Sequence, residues 1–547
     1  MNFNLSTLDL SIIIVYLIFV VLLGFYFGKK HEDAEDYFLA GRNLTWPLIG
    51  FSLFASNMSS NSLVGLAGAG YRDGFSVYTY EWMAVVILII FAVFFLPFYL
   101  RNKIFTIPEY LENRFSYPVR AYASGIAIIL NILVDVSATL YAGGVVINMI
   151  FPEVTLMTTV IILAIIAGIY TISGGLAAVV YTDAVQAIIL IMGSTIITYF
   201  AYQAAGGWTA VADVIGDPSH FNIIKGVDDP SLPYPGIFTG VLIIGFYFWG
   251  TNQYITQRTL AARNIRQGQW GAMFAGFLKL CILFVMIFPG AFARVLYPIQ
   301  TVGDGADSKI MALNRGQELM NIDAIYPSLL FDFLPQGLLG VVLAGLVAAM
   351  MSSLDSGMNS VSTLFTMDFY RKFNPKADTK KLMLVGRYVT VAIMVIAILV
   401  APQIGKFDGL WGYLQETLAW FSPPVVALFV LGLFSSRMNN KGAIAGILVG
   451  TVFSIILIAN SIAGLHLPLP NFLYTAGIHL AVVMLTIYGV SLATGKPDPA
   501  KLEATIWTIQ DFNRETASLK DLPWYYNYRY QAIALILIVI TILLWFA

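Results

Sequence analysis

Between residues 346 and 360 the chain reads Leu346-Val347-Ala348-Ala349-Met350-Met351-Ser352-Ser353-Leu354-Asp355-Ser356-Gly357-Met358-Asn359-Ser360. Positions three and four apart share a helix face, so Ala349, Ser352, Ser353, Ser356 and Asn359 form one stripe with Asp355 beside it. Hydroxyl and carboxylate oxygens are hard ligands that suit a hard cation such as sodium, and the stripe offers no nitrogen or sulfur for a transition metal. Serines that only pack against a neighbouring helix would give the same stripe. Asp355 argues against that reading, because an acid at membrane depth is costly and marks function. Glu81, Asp135, Asp183, Lys279 and Glu416 also interrupt apolar stretches, and each is a site candidate on the same ground. The bland alternative is that Lys279 pairs with one of these acids simply to hold helices together.

The elements that carry these groups are membrane spans. Of the 547 residues, 58% are hydrophobic and 11% charged, against roughly 25% charged in a soluble domain. A spanning helix needs ~20 mostly apolar residues. Fourteen segments qualify, at approximately 8–28, 46–70, 77–100, 121–150, 154–173, 182–204, 236–256, 270–296, 336–366, 384–402, 410–435, 441–462, 470–494 and 527–547. They are too long, and lack the alternation, for a membrane barrel. The first has no basic residues before it and no cleavage signal, so it reads as a retained helix. Lys and Arg prefer cytoplasmic loops. With both termini extracytoplasmic, 23 basic residues fall inside, among them Lys29, Lys30, Arg114 and Arg258, and six outside, namely Arg72, Lys225, Arg294, Lys309, Arg315 and Lys406. The polar connections 205–235, 297–335 and 495–526 look too short and mixed for folded domains, so the chain reads as one membrane domain in a cytoplasmic (plasma) membrane. A net charge of −1 with no basic surface stretch argues against nucleic acid. Cys281 is the lone cysteine, and His31, His220, His466 and His479 have no metal-ligand spacing.

Two spans read as broken. The middle of the second is Ala55-Ser56-Asn57-Met58-Ser59-Ser60-Asn61-Ser62, followed by Gly65, Gly68 and Gly70. Ser and Asn compete for backbone hydrogen bonds and Gly lowers helix propensity. A weaker break falls in the seventh at Gly245 and Gly250-Thr251-Asn252-Gln253. Irregular backbone at membrane depth survives where it lines a cavity, and in transporters it marks the binding site. The breaks lie five helices apart, which suits an inverted repeat of spans 2–6 and 7–11.

With these residues in place the chain resembles the solute:sodium symporter family, in its sodium/glucose cotransporter branch. The resemblance is carried by Asp36 to Arg42 (DYFLAGR), Phe54 to Gly70 (FASNMSSNSLVGLAGAG), Tyr80-Glu81-Trp82, Gly174 to Asp183 (GGLAAVVYTD), Asn252 to Ala262 (NQYITQRTLAA) and Ser352 to Tyr370. It implies an all-α integral membrane fold with fourteen transmembrane helices and a LeuT-type five-plus-five inverted-repeat core. Residues 8–28 would be an extra N-terminal helix, 46–204 and 236–435 the two repeats, and 441–547 C-terminal helices. It further implies a core sodium site of the Ala55, Met58 and Ala349 carbonyls with the Ser352 and Ser353 hydroxyls. Sugar-contacting positions would be Asn57, Ser62, Glu81, Lys279 and Gln415, with Trp249 and Trp411 offering flat faces to a ring. A second sodium is implied at Asp183 with Ser352 and Ser356, where Asp355 adds a neighbouring carboxylate. Four positions depart from the family pattern: Phe248 for the usual inner-gate Tyr, Gly245 for Asn or Thr, Ser62 for Gln or His, and Asp135 for Asn or Lys.

The expected function is therefore sodium-coupled import of a sugar or sugar-like polyol, a monosaccharide by size, through alternating access in a lipid bilayer. The same fold and coupling could instead serve an inositol, a sialic acid, a carboxylate or an amino acid. A membrane enzyme or sensor would need a catalytic motif or a soluble domain, and the sequence carries no metalloprotease motif, phosphate loop or kinase-like tail. A channel would need a continuous pore lining, which one pair of broken helices does not supply.

Overall fold

A computed structural model describes residues 5–27, 34–302, 309–314, 318–407, 409–462 and 467–547. Lys29, Lys30, His31, Arg315 and His466 lie outside the described residues. The helices that position the site are numbered here in chain order: α1 (Thr7–Phe27), α2 (Trp46–Asn57), α3 (Ser60–Asp73), α4 (Thr79–Ile90), α5 (Tyr117–Leu130), α6 (Ser137–Ile150), α7 (Leu156–Ala204), α8 (Gln253–Leu260), α9 (Ile265–Leu280), α10 (Leu338–Leu364) and α11 (Leu410–Phe434). Among the described residues ten helical runs are long and apolar enough to cross a membrane, with shorter apolar helices at Thr7–Phe19, Leu156–Gly168 and Ile237–Thr251. The sequence reading of fourteen is thus matched by a helical membrane protein rather than span for span.

One difference is plain. The segments 154–173 and 182–204 join as the single 49-residue helix α7. Gly174-Gly175 falls between the two segments, but a helix glycine costs only ~1 kcal/mol relative to Ala, and no proline interrupts the run. The connection 297–335 also holds more order than its composition suggests: β1 (Ile299–Val302), β2 (Lys309–Leu313) and β3 (Leu319–Asn321) form an antiparallel sheet in the order β1-β2-β3.

Both expected breaks are present. Helix α2 stops at Asn57, Met58 takes a non-helical φ of −86° and ψ of 57°, and α3 restarts at Ser60. Side chains replace the lost ladder: the Ser62 hydroxyl donates to the Asn57 carbonyl, and the Asn61 side-chain oxygen accepts from the Ser62 N–H at 2.8 Å. In the seventh span a π-helical turn, Tyr247–Thr251, ends at Asn252, whose extended backbone (ψ 123°) precedes α8. The Asn252 side chain caps α8 by accepting from the Tyr254 N–H at 3.0 Å.

Helices α2 and α10 pack against each other and each against α7 and α8, around the two breaks. The N-terminal helix is fastened to this group. Asp9 is fully buried and accepts from the N–H groups of Gly337 and Gly340, both at 2.7 Å, so it caps α10 from another helix. Gly340 permits this approach, because a Cβ there would lie 2.6 Å from the Asp9 Cα.

Candidate functional site

The serine stripe on α10 is buried throughout, and it faces the first break because α10 packs on α2. Ser353 is 1% exposed and its hydroxyl lies beside the Tyr254 phenol, which donates to the Ser56 carbonyl at 2.6 Å; among the described residues no acceptor takes the Ser353 hydroxyl in a hydrogen bond. Ser352, by contrast, donates to Asp183. Ala55, Met58 and Ala349 are buried beside the same break and stripe. Their carbonyls are the backbone oxygens that the family resemblance assigns to a sodium ion. Hydrogen bonds at the break go to the carbonyls of Phe54, Ser56 and Asn57.

A cavity of ≈ 620 Å³, counted with its open mouth, lies against that break. Asn57, Ser62, Glu81, Asp135, Phe248, Trp249, Trp411 and Gln415 all line it, as does Gly245. Lys279 sits just behind: its ammonium pairs with Glu81, donates to the Asn57 side-chain oxygen and lies 5.2 Å from the Trp249 ring centre. Three helices, α2, α4 and α9, therefore meet in one polar cluster, where a charged pair is neutral overall and rich in donors and acceptors. Asp135 reaches the cavity from a π-helical segment, Asn131–Val136, between α5 and α6. Glu416 does not belong here; it accepts from Ser461 at 3.0 Å, away from the lining residues.

Asp183, at the centre of α7, is fully buried. It accepts from Ser52 at 2.5 Å and from Ser352, and the Arg258 guanidinium stands 3.5 Å away. Arg258 also donates to Ser52 at 2.7 Å and to Ser356 at 2.6 Å. The charge count placed Arg258 in a cytoplasmic loop, yet it is 1% exposed. Arg114, counted the same way, is buried too and donates to the carbonyls of Gly432, Ser435 and Met438. The hydroxyls and carboxylate expected around a second sodium thus hold a guanidinium, while Asp355 is buried on the adjoining turn of α10. Arg258 follows the Asn252 break on the helix α8, four residues after Tyr254. That position inside a quoted motif was the available signal for its burial.

A second, larger cavity of ≈ 1330 Å³ shares Tyr80, Trp411 and Gln415 with the first and extends to Arg72, Asp73, Asp217, His220, Lys225 and Asp229. The rings of Tyr80 and Trp411 meet edge-to-face with centres 5.5 Å apart. They are the partition between the two spaces. His220, in the wall of the outer one, is 7% exposed and its Nε2 has no hydrogen-bond partner among the described residues. Burial, reinforced by the nearby Arg294 and Lys225 charges, brings it down to about 4.

The sodium:solute symporter family matches residues 37–450, from the first quoted motif through the helices of both breaks. The chain belongs to the sodium:solute symporter family. A relative from Vibrio parahaemolyticus, a sodium/glucose cotransporter, is 35% identical over 530 residues, covering 93% of this chain and 96% of the relative. The sodium/myo-inositol cotransporter 2 of Sus scrofa is 33% identical, covering 92% of this chain and 79% of its own. Among solved structures, a Na+-coupled sialic acid symporter in a substrate-bound outward-open state superposes with a TM-score of 0.75 at 22% identity, over 90% of this chain and 100% of the other. A nucleobase-cation-symport-1 family transporter superposes at 0.54 with 11% identity, covering 85% of this chain and 97% of its own. As a member of this family the chain is a sodium-coupled symporter in a membrane, with sodium as its co-transported ion.

Proposed function

We propose that this symporter imports a sugar-sized polyol, held in the cavity at the first helix break. The observation that carries this reading is the cluster of Asn57, Glu81 and Lys279, with Gln415 on the same wall. A polyol presents many hydroxyls, each both donor and acceptor, and a carboxylate, an ammonium and two amides match them directionally. Trp249 and Trp411 give the apolar ring faces somewhere to lie. The sugar and inositol named for the relatives are of this class.

Sodium binds next to the solute in this reading, on the Ala55, Met58 and Ala349 carbonyls and the Ser352 and Ser353 hydroxyls. These bridge α2 to α10, so the ion fixes the relation of the two helices on which the cavity depends. In this reading segments 46–204 and 236–435 are two inverted repeats, each opened by a broken helix. The Tyr80–Trp411 partition separates the solute from the outer vestibule, and Phe248 and Trp249 lie on the wall formed by the second broken span. Alternating access is then the opening of one partition at a time.

The test is uptake into proteoliposomes with and without an inward sodium gradient, across hexoses, myo-inositol, sialic acid, carboxylates and amino acids. Gradient-driven uptake of hexoses or inositol is expected. Uptake confined to amino acids or carboxylates would end the polyol assignment. Glu81→Gln should lower solute affinity while leaving the sodium-induced thermal shift in place, because it disturbs the Glu81–Lys279 cluster on the solute wall and none of the proposed sodium ligands. A buried polar group left unpaired costs about 1–3 kcal/mol, or roughly 5- to 150-fold in affinity.

A further inference from the structure

The polyol cavity holds one carboxyl group that no cationic side chain matches among the described residues. Glu81 is matched by Lys279, and Asp183 behind the break is matched by Arg258. Asp135 lines the same cavity at 5% exposure, and among the described residues no ion pair includes it. Its polar neighbour is the Asn252 side chain. The Asn252 oxygen is already engaged by the Asn131 amide at 3.3 Å and the Tyr254 N–H at 3.0 Å, which leaves its amide hydrogens for Asp135. An amide supplies a hydrogen bond but no charge. A carboxylate buried without a counter-charge is costly, so the ionised form needs a cation from elsewhere.

The rest of the wall is suited to one kind of cation. Tyr80, Phe248, Trp249, Tyr254 and Trp411 line the cavity with Asp135. Aromatic faces attract ammonium groups, most strongly where water is excluded. The wall already does so once, with the Lys279 ammonium 5.2 Å from the Trp249 ring centre. Hard oxygen ligands for sodium are gathered elsewhere, on the α10 stripe. An anionic solute, such as a sialic acid or a carboxylate, would instead bring like charge to Asp135.

Resting on the polyol reading above, we propose that the solute is a cationic polyol of the amino-sugar class, with its ammonium bound by Asp135 and the aromatic wall while its hydroxyls meet Asn57, Glu81, Lys279 and Gln415. Asp135 is then the residue that sets specificity, and its departure from the family pattern has a chemical purpose. A hydrogen bond to a charged group is worth ~1.5–3 kcal/mol, which corresponds to roughly a 10- to 150-fold preference.

The experiment compares sodium-driven uptake of D-glucosamine, D-glucose and N-acetyl-D-glucosamine by the wild-type protein in proteoliposomes. The three share a ring, and only the first carries an ammonium. Glucosamine is expected to lead in uptake efficiency and to displace the other two. In Asp135→Asn, which keeps the shape and removes the charge, the preference should collapse toward unity, while the thermal shift caused by sodium alone persists. If wild type carries glucose or N-acetylglucosamine as well as glucosamine, the amine assignment is overturned and the polyol reading stands. A preference that survives in Asp135→Asn also overturns it, and absence of sodium-driven uptake for every hexose overturns both. The wild-type comparison needs no variant, so a poorly folding Asp135→Asn would not shield the proposal.

Discussion

Ser352 and Ser353 are neighbours in the chain with different employment. Ser352 donates to a buried carboxylate, Asp183, whereas the buried Ser353 hydroxyl has only the Tyr254 phenol beside it among the described residues. Removing a hydroxyl that serves no buried charge should hardly disturb folding, while removing a donor to a buried carboxylate leaves that oxygen short. We therefore expect Ser353→Ala to keep its melting temperature and to weaken sodium by about 1–3 kcal/mol, or roughly 5- to 150-fold, read as the sodium concentration for half-maximal uptake. Ser352→Ala should lower the melting temperature as well. Equal sodium dependence in Ser353→Ala and wild type would remove Ser353 from the ion site. The serine stripe was legible from spacing because period is a property of the sequence. Which serine is already engaged was not, since that depends on Asp183 and Ser52, 169 and 300 positions away from Ser352 in the chain. Arg258 was misplaced for a similar reason. A charge count treats every arginine near a span end as solvated, and only tertiary packing reveals that Asp183, Ser52 and Ser356 surround this one.

Helix breaks were readable because they are local: Ser, Asn and Gly declare themselves at Met58 and Asn252. Contacts between helices were not. Asp9 gave no sign that it caps α10, the helix with the ion stripe, and the resulting link between α1 and α10 follows only from their packing. A cap is worth roughly 0.5–2 kcal/mol. Asp9→Ala should lower thermal stability by about that amount, and sodium should restore part of the loss because it binds the same helix. A melting temperature unaltered by Asp9→Ala would show that α1 contributes nothing to holding α10. In the 216–235 wall of the outer cavity, His220 links structure to pH. Its folded-state value, about 4, lies below the ordinary 6.5, so between these pH values the unfolded wall binds a proton that the folded wall refuses. Stability is thus unaffected above pH 6.5 and is lost as pH falls toward 4, by up to roughly 3 kcal/mol. His220→Gln should flatten the melting temperature across that window. An identical pH profile in the variant would assign the acid sensitivity to other groups, such as Asp73 or Asp217, which face His220.

At the scale of the whole transporter, the decisive quantity is how many sodium ions accompany each solute. With a tenfold gradient (~1.4 kcal/mol) and ~100 mV (~2.3 kcal/mol per charge), one ion supplies about 3.7 kcal/mol, enough for roughly 500-fold accumulation of a neutral solute. Two ions would square that figure. The residues read from the family resemblance as a second sodium site are Asp183, Ser352, Ser356 and Asp355. The structure sets the Arg258 guanidinium among them, 3.5 Å from Asp183 and 2.6 Å from the Ser356 hydroxyl. A guanidinium neutralises Asp183 as a sodium ion would, but it is tethered and cannot be carried across. Two cations beside one buried carboxylate would repel, so the ion and Arg258 compete for the place. We expect one sodium per cycle in the wild type, with a Hill coefficient near one and a reversal potential that fits one sodium per solute. Removing Arg258 leaves Asp183 uncompensated, which destabilises by roughly 3–5 kcal/mol unless a cation replaces it. Arg258→Met should therefore fold best in high sodium and show a Hill coefficient rising toward two. Adding Asp183→Asn removes the new ion's charge partner and should return the coefficient to one while relieving the sodium requirement for folding. A wild-type coefficient near two that drops to one in Asp183→Ala would refute this assignment, because it would mean that Arg258 yields its place to an ion in every cycle.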